Sequence, residues 1–70
     1  MTARYAVRDL IVDYLRRAAS ERTVTKIIRY MWAEHQVNAN VTRTTIYRLV
    51  KDGQIVRIER GRYAAAGGAS

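Results

Sequence analysis

Val41-Thr42-Arg43-Thr44-Thr45-Ile46-Tyr47-Arg48-Leu49-Val50-Lys51-Asp52-Gly53, followed directly by Gln54-Ile55-Val56-Arg57-Ile58-Glu59-Arg60-Gly61-Arg62-Tyr63-Ala64, is the stretch on which the fold turns. Ile46, Leu49 and Val50 recur at spacings of three and four, the period of a helix with one apolar side. Thr42 is the expected N-cap, with Val41 and Ile46 placed to close a hydrophobic staple around it. Gly53 stands at the C′ position, where a left-handed residue ends a helix. A helix over 42–52 follows. Beyond it the β-branched run 54–58 reads as a strand, Glu59-Arg60-Gly61 as a turn and Arg62-Tyr63-Ala64 as a short return strand.

Upstream, Val7, Leu10, Ile11, Tyr14, Leu15 and Ala18 draw an apolar stripe along a helix from Arg4 to Ala19. Arg8, Asp9, Asp13, Arg16 and Arg17 fill its other side, and Asp13 can pair with Arg17 four residues on. Ser20 to Arg22 breaks this pattern. The β-prone pair Thr23-Val24 comes next, then Thr25 as the expected cap of a helix running from Lys26 to His35. In that helix Ile27, Ile28, Met31 and Trp32 are expected inward and Tyr30 off the stripe. The asparagine-rich 36–40 tolerates the left-handed conformation needed to turn from one helix into the next. The order is helix, short extended piece, helix, turn, helix, β-hairpin. One domain over 4–65 and a flexible tail at 66–70 are expected, since the tail has almost nothing to bury.

The 70 residues carry 13 basic and 6 acidic side chains and a formal net charge of +7, which with a pI near 10.6 favours a polyanionic partner, chiefly nucleic acid. The hydrophobic fraction of 49% is that of a folded domain and argues against a basic disordered tail. No run approaches the roughly eighteen apolar residues of a membrane span, and the N-terminus lacks the apolar core of a signal peptide. A cytoplasmic, nucleoid-associated location is expected. With no cysteine there is neither a disulfide framework nor a thiolate metal site. His35 is the sole histidine, without the neighbours a metal ligand needs. Asp9 and Asp13 share a helix face among arginines, not a pocket, so they do not make a catalytic pair. No phosphate loop, nucleophile–base pair or cofactor fingerprint is present. The chain reads as a non-enzyme without cofactors, metal or an evident small-molecule ligand.

The polar cap, the short helix with its Ile46-Leu49-Val50 set, the terminal Gly53 and the basic hairpin Ile55-Val56-Arg57-Ile58 with Gly61-Arg62-Tyr63 resemble the winged helix-turn-helix superfamily. The resemblance covers about residues 5–65 and implies an α+β, mostly α fold: three helices plus a C-terminal β-hairpin wing. The portion from Gly53 to Tyr63 is similar to the N-terminal domains of AbiEi-type antitoxins and to other small bacterial or phage repressors. The resemblance implies that helix 42–52 enters the major groove of DNA while the 55–64 hairpin contacts the flanking backbone or minor groove.

The side chains fit that role on their own chemistry. With Ile46, Leu49 and Val50 inward, the outer face of the third helix shows Arg43, Thr44, Tyr47, Arg48 and Lys51. Arginine binds guanine O6 and N7 in a bidentate manner, threonine can touch a thymine methyl, and Lys51 suits a phosphate. Thr42 and Thr44 lie where a helix N-terminus attracts phosphate. Arg57, Arg60 and Arg62 put three like charges on the wing, and Gly61 lets its turn tighten. Arg22 and Lys26, at the start of the second helix, are secondary backbone contacts. The function expected is that of a sequence-specific duplex-DNA-binding protein, a small transcriptional regulator of repressor type. A homodimer on a pseudo-palindromic site is compatible with it, with the first helix and Tyr5 as the face between copies. Two alternatives remain at this point: an architectural DNA binder with little sequence preference, and a winged-helix module that binds protein. Interaction modules favour apolar anchors where this helix has charges.

Overall fold

The computed structural model describes residues 6–18 and 20–66. Its elements follow one another as α1 (Val7–Ala18), β1 (Arg22–Thr23), α2 (Val24–His35), α3 (Ala39–Lys51), β2 (Ile55–Glu59) and β3 (Arg62–Ala65). The strands form an antiparallel sheet in the order β1-β3-β2, so the short extended piece before α2 returns to pair with the far strand of the hairpin. Three helices, a sheet edge laid between the first two, and a hairpin after the third make a winged helix-turn-helix. Among the described residues, no helix is long and apolar enough to cross a membrane.

The core is a single cluster to which every major element contributes. Ile11, Val12 and Leu15 come from α1, Ile27 and Met31 from α2, Ile46 and Leu49 from α3, and Ile55 from the wing. Val12 joins the stripe expected for α1 because that helix is covered from two sides, by α3 and by β3. On its outer side α1 is charged: Arg8, Asp9, Asp13, Arg16 and Arg17 are exposed, and Arg17 bonds Asp13 at 2.9 Å. Tyr5, named with this helix as the face between copies, lies outside the described residues.

Two helix starts differ from the sequence expectation. The cap of α2 is Thr23, not Thr25: its hydroxyl accepts the Lys26 N–H at 3.2 Å, and the helix begins at Val24. The cap of α3 is Asn38, whose Oδ1 accepts the Val41 N–H at 2.9 Å. With α3 begun at Ala39, Thr42 sits a full turn inside the helix and is wholly buried. Val41 is correspondingly exposed, so no staple forms between Val41 and Ile46. The left-handed residue that closes α2 is Gln36 (φ 53°) instead of one of the asparagines, and its N–H bonds the carbonyls of Met31 and Trp32.

The inward side of α2 is also rotated. Tyr30 is half-buried and stacks on Tyr14 of α1 with ring centroids 4.1 Å apart, while Trp32 is 60% exposed. Contact with α1 draws the 27-30-31 side inward and leaves the 28-32 side toward solvent. The end of α3, by contrast, follows the expected pattern. Gly53 (φ 80°) is left-handed, its N–H bonds the Val50 carbonyl at 3.1 Å, and the Gln54 N–H reaches the Leu49 carbonyl at 2.9 Å. Those two bonds are the pair that ends a helix and reverses the chain. They deliver Ile55 into the core, from which β2 and β3 extend as the wing. Ala66, placed with the tail in the sequence expectation, donates its N–H to the Gln54 carbonyl at 3.1 Å. Positions 67–70 lie outside the described residues.

Candidate nucleic-acid interface

At about 100° per residue, burial of Thr42, Ile46 and Leu49 fixes which side of α3 is free. Asn40, Thr44, Tyr47 and Lys51 fall on the opposite row and are all exposed. Arg43 and Arg48 flank this row on its two sides. Tyr47 is 65% exposed at the middle of the row, and the Lys51 ammonium lies 5.6 Å from its ring centroid. Such a cation–ring contact restrains both side chains without withdrawing either from solvent. Asn40 belongs to this row and was missed by a reading that started the helix at Thr42. The same period that links 44, 47 and 51 reaches it once the helix is extended to Ala39.

The wing is short and held down. Arg57 pairs with Tyr63 across the hairpin and Glu59 with Arg62, with a register shift between them, which leaves Arg60-Gly61 as the turn. Gly61 (φ 77°) supplies the positive φ that the turn requires, and its carbonyl accepts the Val24 N–H at 2.8 Å. This bond ties the wing tip to the first turn of α2, and Arg60, beside Gly61 in the turn, is exposed. Alternation along β2 puts Arg57 on the same side as Ile55, facing α3. There it lines an open groove of about 330 Å³ together with Arg43, Val24, Ile46, Tyr47, Val50 and Tyr63. The fold thus brings Arg43 and Arg57, fourteen positions apart in sequence, to one groove between helix and wing.

The expected contact residues separate according to their partners. All six acidic residues are described, and none pairs with Arg43, Arg48, Lys51, Arg57 or Arg60 within the described residues. The nearest carboxylates are already engaged. Asp52 binds Arg8 at 3.2 Å, and Glu59 binds Arg62 at 3.3 Å. Arg62 also lies 3.8 Å from Glu21, so it joins the wing to the loop before β1 and is turned away from the row on α3. Arg22 is half-buried and donates to the Ser20 hydroxyl at 2.8 Å and the Glu21 carbonyl at 3.1 Å, whereas Lys26 is exposed. Thr44 is free, but Thr42 is not. Named from the sequence as a phosphate contact at a helix end, Thr42 lies inside the core and has no surface to offer a ligand.

Residues 36–66 run from the left-handed residue that ends α2 to the last residue bonded across the hairpin. They contain the whole of α3 and the wing. This segment matches the family described as transcriptional regulator, AbiEi antitoxin. No curated protein and no solved structure matches the chain. In its helix-and-wing segment, the chain is similar to the AbiEi-antitoxin family of transcriptional regulators.

Proposed function

We propose that this protein is a sequence-specific duplex-DNA-binding transcriptional regulator in which α3 occupies the major groove and the wing lies on the flanking backbone or minor groove. The observation that carries the reading is the distribution of unpaired cations. Arg43 and Arg48 flank the exposed row of α3, Lys51 lies on it, and Arg57 and Arg60 stand on the wing, while Asp52 and Glu59 are paired with Arg8 and Arg62. A surface of this kind attracts the phosphate backbone at any sequence. Base discrimination requires donors and acceptors projecting from the helix into the groove, and Asn40, Arg43, Thr44 and Tyr47 are the side chains free to provide them. Lys51 sits a turn further along, where a phosphate is the natural acceptor. Arg57 and Arg60 hold the flanking backbone, and Gly61 keeps the tip narrow enough to approach it. Lys26 adds a backbone contact at the start of α2, and Arg62 acts as a strut instead of a ligand. The similarity of residues 36–66 to a transcriptional regulator family supports the same reading.

The test is selection from a randomised duplex library across a salt series, with sequencing of the bound fraction. An enriched motif with steep salt dependence is the expected result, and its symmetry reports whether two copies bind together. Arg43→Ala should cost roughly 1–3 kcal/mol on the selected site and relax its sequence. Steep salt dependence with no motif would replace the proposal with an architectural role. Absence of duplex binding at physiological salt would remove DNA as the partner.

A further inference from the structure

The groove between α3 and the wing contains more apolar surface than a polyanion needs. Its floor is Val24, Ile46, Val50 and Tyr63, with the Tyr47 ring at one wall. Arg43 and Arg57 are its only charged lining residues, and neither has an ion-pair partner among the described residues. Phosphates would engage the two guanidinium groups and leave the floor uncovered. A ligand that satisfies both chemistries carries an apolar side chain with carboxylates on either side of it.

We infer that this groove is a docking site for an acidic peptide segment of a partner protein, which seats one leucine or phenylalanine on the Val24–Ile46–Val50–Tyr63 floor and sets carboxylates against Arg43 and Arg57. At about 330 Å³ the space admits one or two such side chains. It is open along one side, so it suits a segment lying across it better than a small molecule, which needs most of its surface enclosed. Charge complementarity selects the flanks, since both arginines offer planar donor pairs that fit carboxylates. The inference rests on the DNA reading in one respect: Arg43 and Arg57 serve both ligands, so the peptide excludes the duplex. A partner carrying such a segment would release the protein from DNA.

The experiment uses the full chain and two fluorescent twelve-residue peptides. One has a central leucine–phenylalanine pair flanked by glutamates, and its twin has both apolar residues replaced by alanine. Binding is followed by anisotropy without DNA, and amide chemical shifts locate the site. The expected result is at least roughly tenfold weaker binding of the alanine twin, as loss of several buried methylene groups implies. Shifts should centre on Val24, Val50 and Tyr63, and Arg57→Gln should weaken the peptide while Arg16→Gln leaves it unchanged. Equal binding of both peptides would reduce the groove to a polyanion site and overturn the inference. So would binding of neither peptide, or shifts centred elsewhere. A separate duplex titration keeps the two readings apart. Peptide binding without duplex binding sinks the DNA proposal alone, duplex binding without peptide binding sinks this one, and a ternary complex refutes the exclusion.

Discussion

Thr42→Val should make this protein more stable and leave its affinity for DNA unchanged. Thr42 is 0% exposed, and its hydroxyl has no hydrogen-bond partner among the described residues. A buried polar group left unpaired costs about 1–3 kcal/mol in lost hydration. Valine keeps the branched shape, has nearly the same helix propensity, and adds a methyl to a site already shielded from water. Thr45 provides the internal contrast, because its hydroxyl donates to the Val41 carbonyl at 2.7 Å and so has the bond that Thr42 lacks. Allowing some strain from the slightly larger methyl, the net gain should be about 1–2 kcal/mol. In a domain of this size, that raises the melting temperature by about 4–15 °C. Thermal unfolding followed by far-ultraviolet circular dichroism measures it, with Thr42→Ser as the companion variant. Serine retains the hydroxyl but removes a buried methyl, and should lower stability by about 1 kcal/mol. A lower melting temperature for Thr42→Val would show that the hydroxyl is bonded in solution. A drop in duplex affinity at constant fold would restore Thr42 to the interface and refute its burial.

Three further outcomes follow from the same geometry. Gln36 adopts φ 53° without glycine's freedom, so Gln36→Gly should raise the urea midpoint with an unchanged slope and add about 0.5–1 kcal/mol; a lower midpoint would mean that the glutamine side chain matters more than its backbone. Asn38→Ala should cost about 0.5–2 kcal/mol through loss of the α3 cap, whereas Thr25→Ala should shift stability by less than about 0.5 kcal/mol. In DNA titrations, Arg60→Gln should lower the slope of log K against log salt by about 0.9, the value for one lost phosphate contact. Arg62→Gln should leave that slope alone, because Glu59 and Glu21 already hold this guanidinium; equal slope changes for the two variants would put Arg62 on the DNA.

What could be read from the sequence was whatever depended on local chemistry, and what escaped it depended on neighbours. Gly53 announced the end of α3 because a left-handed residue there lets its own N–H reach the Val50 carbonyl and the Gln54 N–H reach that of Leu49, which reverses the chain. The start of the same helix was ambiguous, since 38–42 holds two asparagines and a threonine that all cap well. Asn38 wins because α3 extended to Ala39 turns Thr42 into the core between Ile46 and Leu49, and the gain in helix and burial outweighs one orphaned hydroxyl. Periodicity in α2 allowed either the 28-32 side or the 27-30-31 side to face inward. The choice fell to Tyr14, which lies on another helix and stacks on Tyr30.

The interface divides along the same line. The exposed row of α3 follows from helical spacing alone, and Thr44, Tyr47 and Lys51 occupy it as expected. Charge sign, however, does not tell a ligand from a strut. Arg57, Arg60 and Arg62 look alike in sequence, yet strand alternation aims Arg57 at α3, Arg60 is exposed in the turn, and Arg62 pairs with two carboxylates. Glu21 is the side chain that decides the last case, and it approaches only because β1 pairs with β3, a connection between positions some forty residues apart. The electrostatics of the wing are therefore a product of sheet topology. For a basic domain of this type, arginines should be counted as nucleic-acid contacts only after those held by the fold's own carboxylates have been set aside.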